Sequence, residues 1–153
     1  MIIKEIFDRT DKEDIARFVL RDLPEWFGIE ESTAEYINDV HKYSFIVALI
    51  DNEPVGFYSL REENHDVLDM YVLGVLKKYH NQGVGSNLQE YAEKYAEERG
   101  YKYLMVLTLA EKVKNPEYLL TRKFYQKMGF IDLYQNDKIF DEYNPCQLMI
   151  KRV

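Results

Sequence analysis

The chain has 153 residues, about the length of one domain, and its 46% hydrophobic and 31% charged content excludes a largely disordered chain. Lys and Arg number 20 against 27 Asp and Glu, a net charge of −7 that argues against nucleic acid or a membrane as partner. The one cysteine, Cys146, excludes an internal disulfide framework and fits a reducing compartment. No apolar run nears the roughly 18 residues of a membrane span, and residues 1–5 carry no signal-peptide core, so the expectation is one cytoplasmic domain over residues 1–153.

In chain order, residues 2–7 read as a strand. Thr10 and Glu13 have the spacing of a capping box, and Ile15, Phe18 and Val19 continue it as a helix to about Asp22. Pro24 stops that helix, and an aromatic loop with Trp26 and Phe27 follows. Ser32 and Glu35 offer a second capping box, opening a helix toward His41. Residues 44–50 and 55–60 are rich in β-branched and aromatic side chains around Asp51-Asn52-Glu53-Pro54, a hairpin. Residues 67–76 form the longest apolar run, a central strand. Residues 83–99 give the clearest helix, with Val84, Leu88, Tyr91, Ala92, Tyr95 and Ala96 on one stripe and Gly100 at its end. Residues 103–109 read as another buried strand. Asn115, Pro116 and Glu117 suit the start of a helix that ends near Gly129, and residues 130–134 and 147–151 read as the last strands. The order predicts one mixed α/β layer structure.

The segment with chemistry in it is Val75-Leu76-Lys77-Lys78-Tyr79-His80-Asn81-Gln82-Gly83-Val84-Gly85-Ser86. A buried strand runs into a glycine-bearing loop and then into a strong helix. Glycine admits positive φ and close approach of a ligand, and the first turn of a helix offers free N–H groups and partial positive charge. That combination is an anion site, most naturally for a phosphate or pyrophosphate. Taken alone, the two glycines also fit a plain tight turn. The Gly-Lys-Ser/Thr of a P-loop is missing, and so is the full glycine spacing of a dinucleotide fingerprint. The three histidines, His41, His65 and His80, have no metal-ligand spacing, so no metal is expected.

His80-Asn81-Gln82-Gly83-Val84-Gly85 resembles motif A of the GNAT superfamily of N-acetyltransferases, Arg/Gln-x-x-Gly-x-Gly/Ala, with His80 in place of the usual Arg or Gln. Phe124-Tyr125-Gln126-Lys127-Met128-Gly129-Phe130 resembles the end of its motif B, Phe-Tyr-x-x-x-Gly-Phe. The resemblance covers about residues 67–151, and the first 60 residues match in element order. It implies an α/β (mixed α+β) fold with a central mixed β-sheet of about seven strands. The fourth and fifth strands are splayed, and about four helices flank the sheet. It implies acetyl-CoA as co-substrate, entering the opening between residues 67–76 and 103–109. The pantetheine arm would pair with backbone near Leu73 and Val75, and the pyrophosphate would lie on the N–H groups of Gln82, Gly83, Val84, Gly85 and Ser86, with His80 and Asn81 beside them. The family often carries an Asn where Tyr118 stands, and Asn115 is a candidate to replace it or a simple helix cap.

The same resemblance implies direct acetyl transfer to a primary amine in a ternary complex. Tyr125 matches the tyrosine that protonates the departing sulfur, and the backbone N–H of Val75 is the candidate oxyanion donor. Asp69 matches the position of a catalytic Glu, one methylene shorter, so that a bridging water is needed. A hydrogen-bonded carboxylate at a strand start is the equal alternative for Asp69, and aromatic packing is the alternative for Tyr125. A base matters most for a lysine-type acceptor. Making that amine neutral at pH 7 costs roughly 4.6 kcal/mol, against about 1–1.4 kcal/mol for an α-amine. The acceptor is an amine on a small molecule or a peptide. Trp26, Phe27 and the acidic Glu30, Glu31, Glu35 and Asp39 are candidates for its wall, although a solvated helix face accounts for the acids more simply. Two readings stay open: an N-acetyltransferase, or a non-catalytic acetyl-CoA-binding sensor or interaction module. The oligomeric state stays open too, a homodimer included.

Overall fold

Successive residues of the central strands enter two different cores. In the second strand Phe45 and Val47 pack on one side of the sheet, and Ile46 and Ala48 on the other. That alternation is the period-2 signature of a strand buried on both faces. The computed structural model describes residues 1–141 and 143–153. Its elements run β1 (Ile2–Ile6), α1 (Arg9–Arg21), α2 (Glu30–Asp39), β2 (Ser44–Ile50), β3 (Glu53–Asn64) and β4 (Val67–Val75). They continue as α3 (Val84–Glu98), β5 (Tyr103–Leu109), α4 (Pro116–Lys127), β6 (Ile131–Asp141) and β7 (Asn144–Arg152).

The strands form one sheet in the order β1-β2-β3-β4-β5-β7-β6, antiparallel except for the β4–β5 pair. One face carries α1 and α2 over Phe45, Val47, Phe57 and Val72. The other carries α3 and α4 over Ile46, Tyr58, Leu68, Met70 and Val106. This is the expected mixed α/β architecture of seven strands and four α-helices among the described residues.

The feature that positions the site is the β4–β5 junction. The two strands pair only as Val67↔Tyr103, Leu68↔Leu104 and Asp69↔Met105, and then part. On its other edge β4 stays paired with β3 as far as Val75↔Gly56. From Arg61↔Asp69 to Ser59↔Val72, β4 has one residue more than β3, a bulge that sits where the strands begin to diverge.

Several element ends differ from expectation. The cap of α1 is Asp8, whose carboxylate accepts from the Asp11 N–H; Thr10 lies inside the helix. Ile29 precedes α2 without any side-chain cap, because the helix starts ahead of Ser32. Strand β3 extends to Asn64, beyond the last apolar residue, because cross-strand pairing continues after burial ends. Strand β6 runs to Asp141, well past residue 134, and is exposed along nearly its whole length.

Candidate active site

The parted strands form a cleft of about 670 Å³. Its β4 bank carries Met70, Val72, Leu73 and Val75; its β5 bank carries Val106, Leu107 and Thr108. The loop after β4 and the start of α3 close one end, and α4 roofs it with Tyr118, Thr121, Phe124 and Tyr125. Trp26, Phe27, Tyr36 and Tyr71 line the α1–α2 side. The structure therefore gathers Leu73, Val75, His80, Asn81, Gly83, Val84, Gly85, Ser86, Tyr118 and Tyr125 around one space. Gln82, Asn115 and Asp69 are not among the residues of its wall.

The loop end is built by backbone conformation. Asn81 has φ 59° and Gly83 has φ 83°, both in the left-handed region. Gly83 takes the N-cap position of α3 with no side-chain cap, so the first-turn N–H groups of a 15-residue helix face the cleft end unspent. His80 Nε2 lies 2.7 Å from the Val75 carbonyl oxygen and so carries the hydrogen of that bond. The His80 ring also packs edge-on against Trp26, 5.5 Å between centroids. The Gln82 side chain donates to the Lys78 carbonyl at 2.7 Å. These residues fit a phosphate group: a bare helix N-terminus, a left-handed glycine and an adjoining cleft.

Tyr125 is 4% exposed, wedged edge-on between Phe124 and Phe130. Burial pushes its pKa up, and the neighbouring Tyr58 hydroxyl opposes that. A phenol held protonated in this way is a donor, not a base. Tyr118 donates its N–H to Asn115 Oδ1 at 3.1 Å and its hydroxyl to the Trp26 carbonyl at 2.8 Å, and burial pushes its pKa up to about 12. Asn115 is thus the N-cap of α4. Trp26 Nε1 lies 3.2 Å from the Glu117 carbonyl and 3.1 Å from Thr121 Oγ1, so one indole ties the α1–α2 loop to α4 across the cleft.

Asp69 is 1% exposed and accepts from Arg61 Nη2 at 2.6 Å. Arg61 lies over the Tyr71 ring, 4.7 Å from its centroid. Burial pushes the Asp69 carboxyl up to about 6, against the pull of Arg61. The acidic candidates of α2 stand off the wall: Glu30 pairs with Arg21, and Asp39 with Lys42. Cys146 is fully buried. Tyr95 shares a 2.6 Å hydrogen bond with Ser44 as part of the packing under α3.

Sequence reasoning missed Tyr36, Tyr71 and Thr108. Tyr36 and Tyr71 left no pattern among the 13 tyrosines. Thr108 had a signal, as the one polar residue of the buried run Leu104 to Leu109.

The Acetyltransferase (GNAT) family profile matches residues 12–130. An uncharacterized N-acetyltransferase of Archaeoglobus fulgidus is 31% identical, over 61% of this chain and 75% of that protein. Among solved structures, Ard1 from Thermoplasma volcanium superposes with a TM-score of 0.77 at 19% identity, covering 99% of this chain and 97% of that one. An aminoglycoside 6'-N-acetyltransferase complexed with coenzyme A gives 0.73 at 18% identity, again covering 99% and 97%. With the matched region spanning β4, the glycine loop, α3, β5 and α4, the chain belongs to the GNAT family of acetyltransferases.

Proposed function

We propose that the protein is an acetyl-CoA-dependent N-acetyltransferase acting on a primary amine. The observation that carries the reading is the cleft itself. It opens between parallel strands after three residue pairs and ends on the uncapped N-terminus of α3. Family membership supports the chemistry, and the coenzyme A complex of a structural neighbour supports the ligand.

Gly83, Val84, Gly85 and Ser86 would hold the pyrophosphate by backbone N–H groups, with His80 and Asn81 shaping the loop around them. Leu73 and Val75 lie on the stretch of β4 that no longer pairs with β5, so that edge can take an extended arm beside the Val75 carbonyl that His80 already occupies. Acetyl-CoA supplies a thioester whose carbonyl carbon accepts the amine nitrogen as the carbon–sulfur bond breaks. Tyr125 gives its hydroxyl proton to the departing sulfur. The proton lost by the nitrogen returns to that hydroxyl through solvent, so the enzyme ends as it began. The arrangement around Asp69 favours a supporting role, since its carboxylate is held by Arg61 off the cleft wall.

The test begins with thermal stability. Acetyl-CoA at about 100 times its dissociation constant adds roughly 2.7 kcal/mol, a rise of roughly 5–11 °C for a chain of this size. ATP and NAD are expected to give none. Thiol release with a panel of primary amines then reads transfer, and Tyr125→Phe is expected to lower kcat about 10²–10⁴-fold while keeping the acetyl-CoA shift. A shift without thiol release identifies a CoA-binding module instead of an enzyme. No shift at all removes the assignment.

A further inference from the structure

The cleft joins the two faces of the sheet. Trp26, Phe27, Tyr36 and Tyr71 pack on the core under α1 and α2, and Val84, Phe124 and Tyr125 on the core under α3 and α4. Both groups line the same space, so it passes through the sheet where β4 and β5 part. The glycine turn opens α3, which gives the α3 side to the phosphates. A second substrate that reaches the acetyl group from the opposite side meets the four rings.

Three of those rings form a braced array. Tyr36 stands edge-on to Phe27, 5.9 Å between centroids, and edge-on to Tyr71 at 5.2 Å. Tyr71 is held in turn by Tyr43 at 5.0 Å and by the Arg61 guanidinium 4.7 Å from its centroid, neither of which lines the cleft. Rings set edge-on accept a further ring in the same manner, and aromatic pairs at such spacings gain more than their buried area alone supplies.

The charges of the wall say what else the acceptor carries. Among the described residues no Asp or Glu lines the cleft, and its two lysines, Lys123 and Lys127, are cations on α4. Acids on the surrounding elements are already paired, Glu25 with Lys77, Asp39 with Lys42 and Asp69 with Arg61. The net charge of −7 draws cations toward the molecule from a distance. An ammonium inside a cleft, however, needs a carboxylate in contact to replace its lost water. The reacting nitrogen escapes that need because it attacks in its neutral form. A second ammonium does not.

We propose that the acceptor is a monoamine bearing an aromatic ring close to its nitrogen, the ring lying against Phe27, Tyr36 and Tyr71. A free arylalkylamine and a peptide that begins with an aromatic residue share that chemistry. The inference rests on the N-acetyltransferase reading and adds the class of acceptor to it.

The test uses matched probes, phenethylamine against ethylamine and phenylalanyl-glycine amide against alanyl-glycine amide, with spermidine as the polycation. Thiol release gives kcat/KM for each. In at least one pair the aromatic member is expected to lead by about tenfold or more, as burial of one ring requires, and to lead spermidine by as much. The pair that reacts tells a free amine from a peptide. Tyr36→Leu and Phe27→Leu each keep apolar bulk and remove a ring. The aromatic preference is expected to fall severalfold in them and to survive in Tyr36→Phe, while stabilisation by acetyl-CoA persists in all three. A ratio of two amines on one preparation does not depend on how much of it is folded. Equal rates within both pairs, or a preference for spermidine, would overturn this inference and leave the transferase reading standing. A preference unchanged in both leucine variants would overturn it as well. Loss of the acetyl-CoA shift in both would assign the rings to the cofactor, with the same result. A wild type that acetylates no probe sinks it together with the transferase reading.

Discussion

A carboxylate that gives up water for a single guanidinium is pulled two ways, and Asp69 is the case in this molecule. Burial disfavours its charge, Arg61 favours it, and the balance lies on the side of burial, with a pKa of about 6. The ordinary value of 3.8 applies once the chain unfolds. Between about pH 4 and 6 the folded state therefore holds more protons than the unfolded one, so this group's contribution to stability falls as pH rises through that window. Above it both states are ionised and the difference is constant. Asp69→Asn cannot titrate, so its melting temperature is expected to gain on the parent's between pH 4 and pH 7, by the equivalent of about 3 kcal/mol at most. Paired thermal melts across that range read it. A variant that loses ground as pH rises would mean that the Arg61 pair outweighs desolvation. The presence of an acid at this strand position was legible in the sequence. Its partner was not, because Arg61 lies on the neighbouring strand at a register that only the β4 bulge fixes.

At the scale of elements, α3 was legible because it buries a single stripe against the sheet, which leaves a helical period in the sequence, and α4 because Asn115, Pro116 and Glu117 mark its start and Gly129 its end. Their caps were read unevenly. Asn115 acts as expected, but the two supposed capping boxes near α1 and α2 lie inside the helices, since spacing alone does not say where the first turn begins. The two ends of α3 allow a controlled comparison. Gly83 before it has φ 83° and Gly100 after it has φ 80°. A Cβ at Gly83 meets only Asn87 Nδ2 at 3.5 Å, and one at Gly100 meets nothing within 4 Å. Either glycine to alanine change therefore acts by backbone strain, at about 1–2 kcal/mol. Similar drops in melting temperature are expected from both. Only Gly83→Ala is expected to shrink the acetyl-CoA shift as well, because only that end presents its N–H groups to the cleft. Equal shifts in both variants would detach the loop from ligand binding.

On the scale of the whole molecule, the sheet has two kinds of unfinished edge. Strand β6 is an outer edge, and nearly all of its residues are exposed, Ile131 at 65%. That explains why its run past residue 134 was not legible as strand: neither face is buried, so no alternation of apolar residues is required. The inner edge is β4 beyond Asp69, where backbone groups facing β5 have no strand partner. Sequence reading placed both of these strands, but only pairing reveals where they separate. The inner edge is enclosed by α4 and the aromatic wall, and the ligand would complete its hydrogen bonds. Amide hydrogen exchange separates the two edges in a single experiment. Acetyl-CoA is expected to slow exchange in segments covering residues 70–75 and 82–86, while residues 131–141 exchange at their original rate. Protection confined to the loop would place the phosphate without an arm along β4. Protection spread evenly, β6 included, would mean that the ligand tightens the whole fold without filling this particular gap, and the pairing of β4 with an extended ligand would have to be given up.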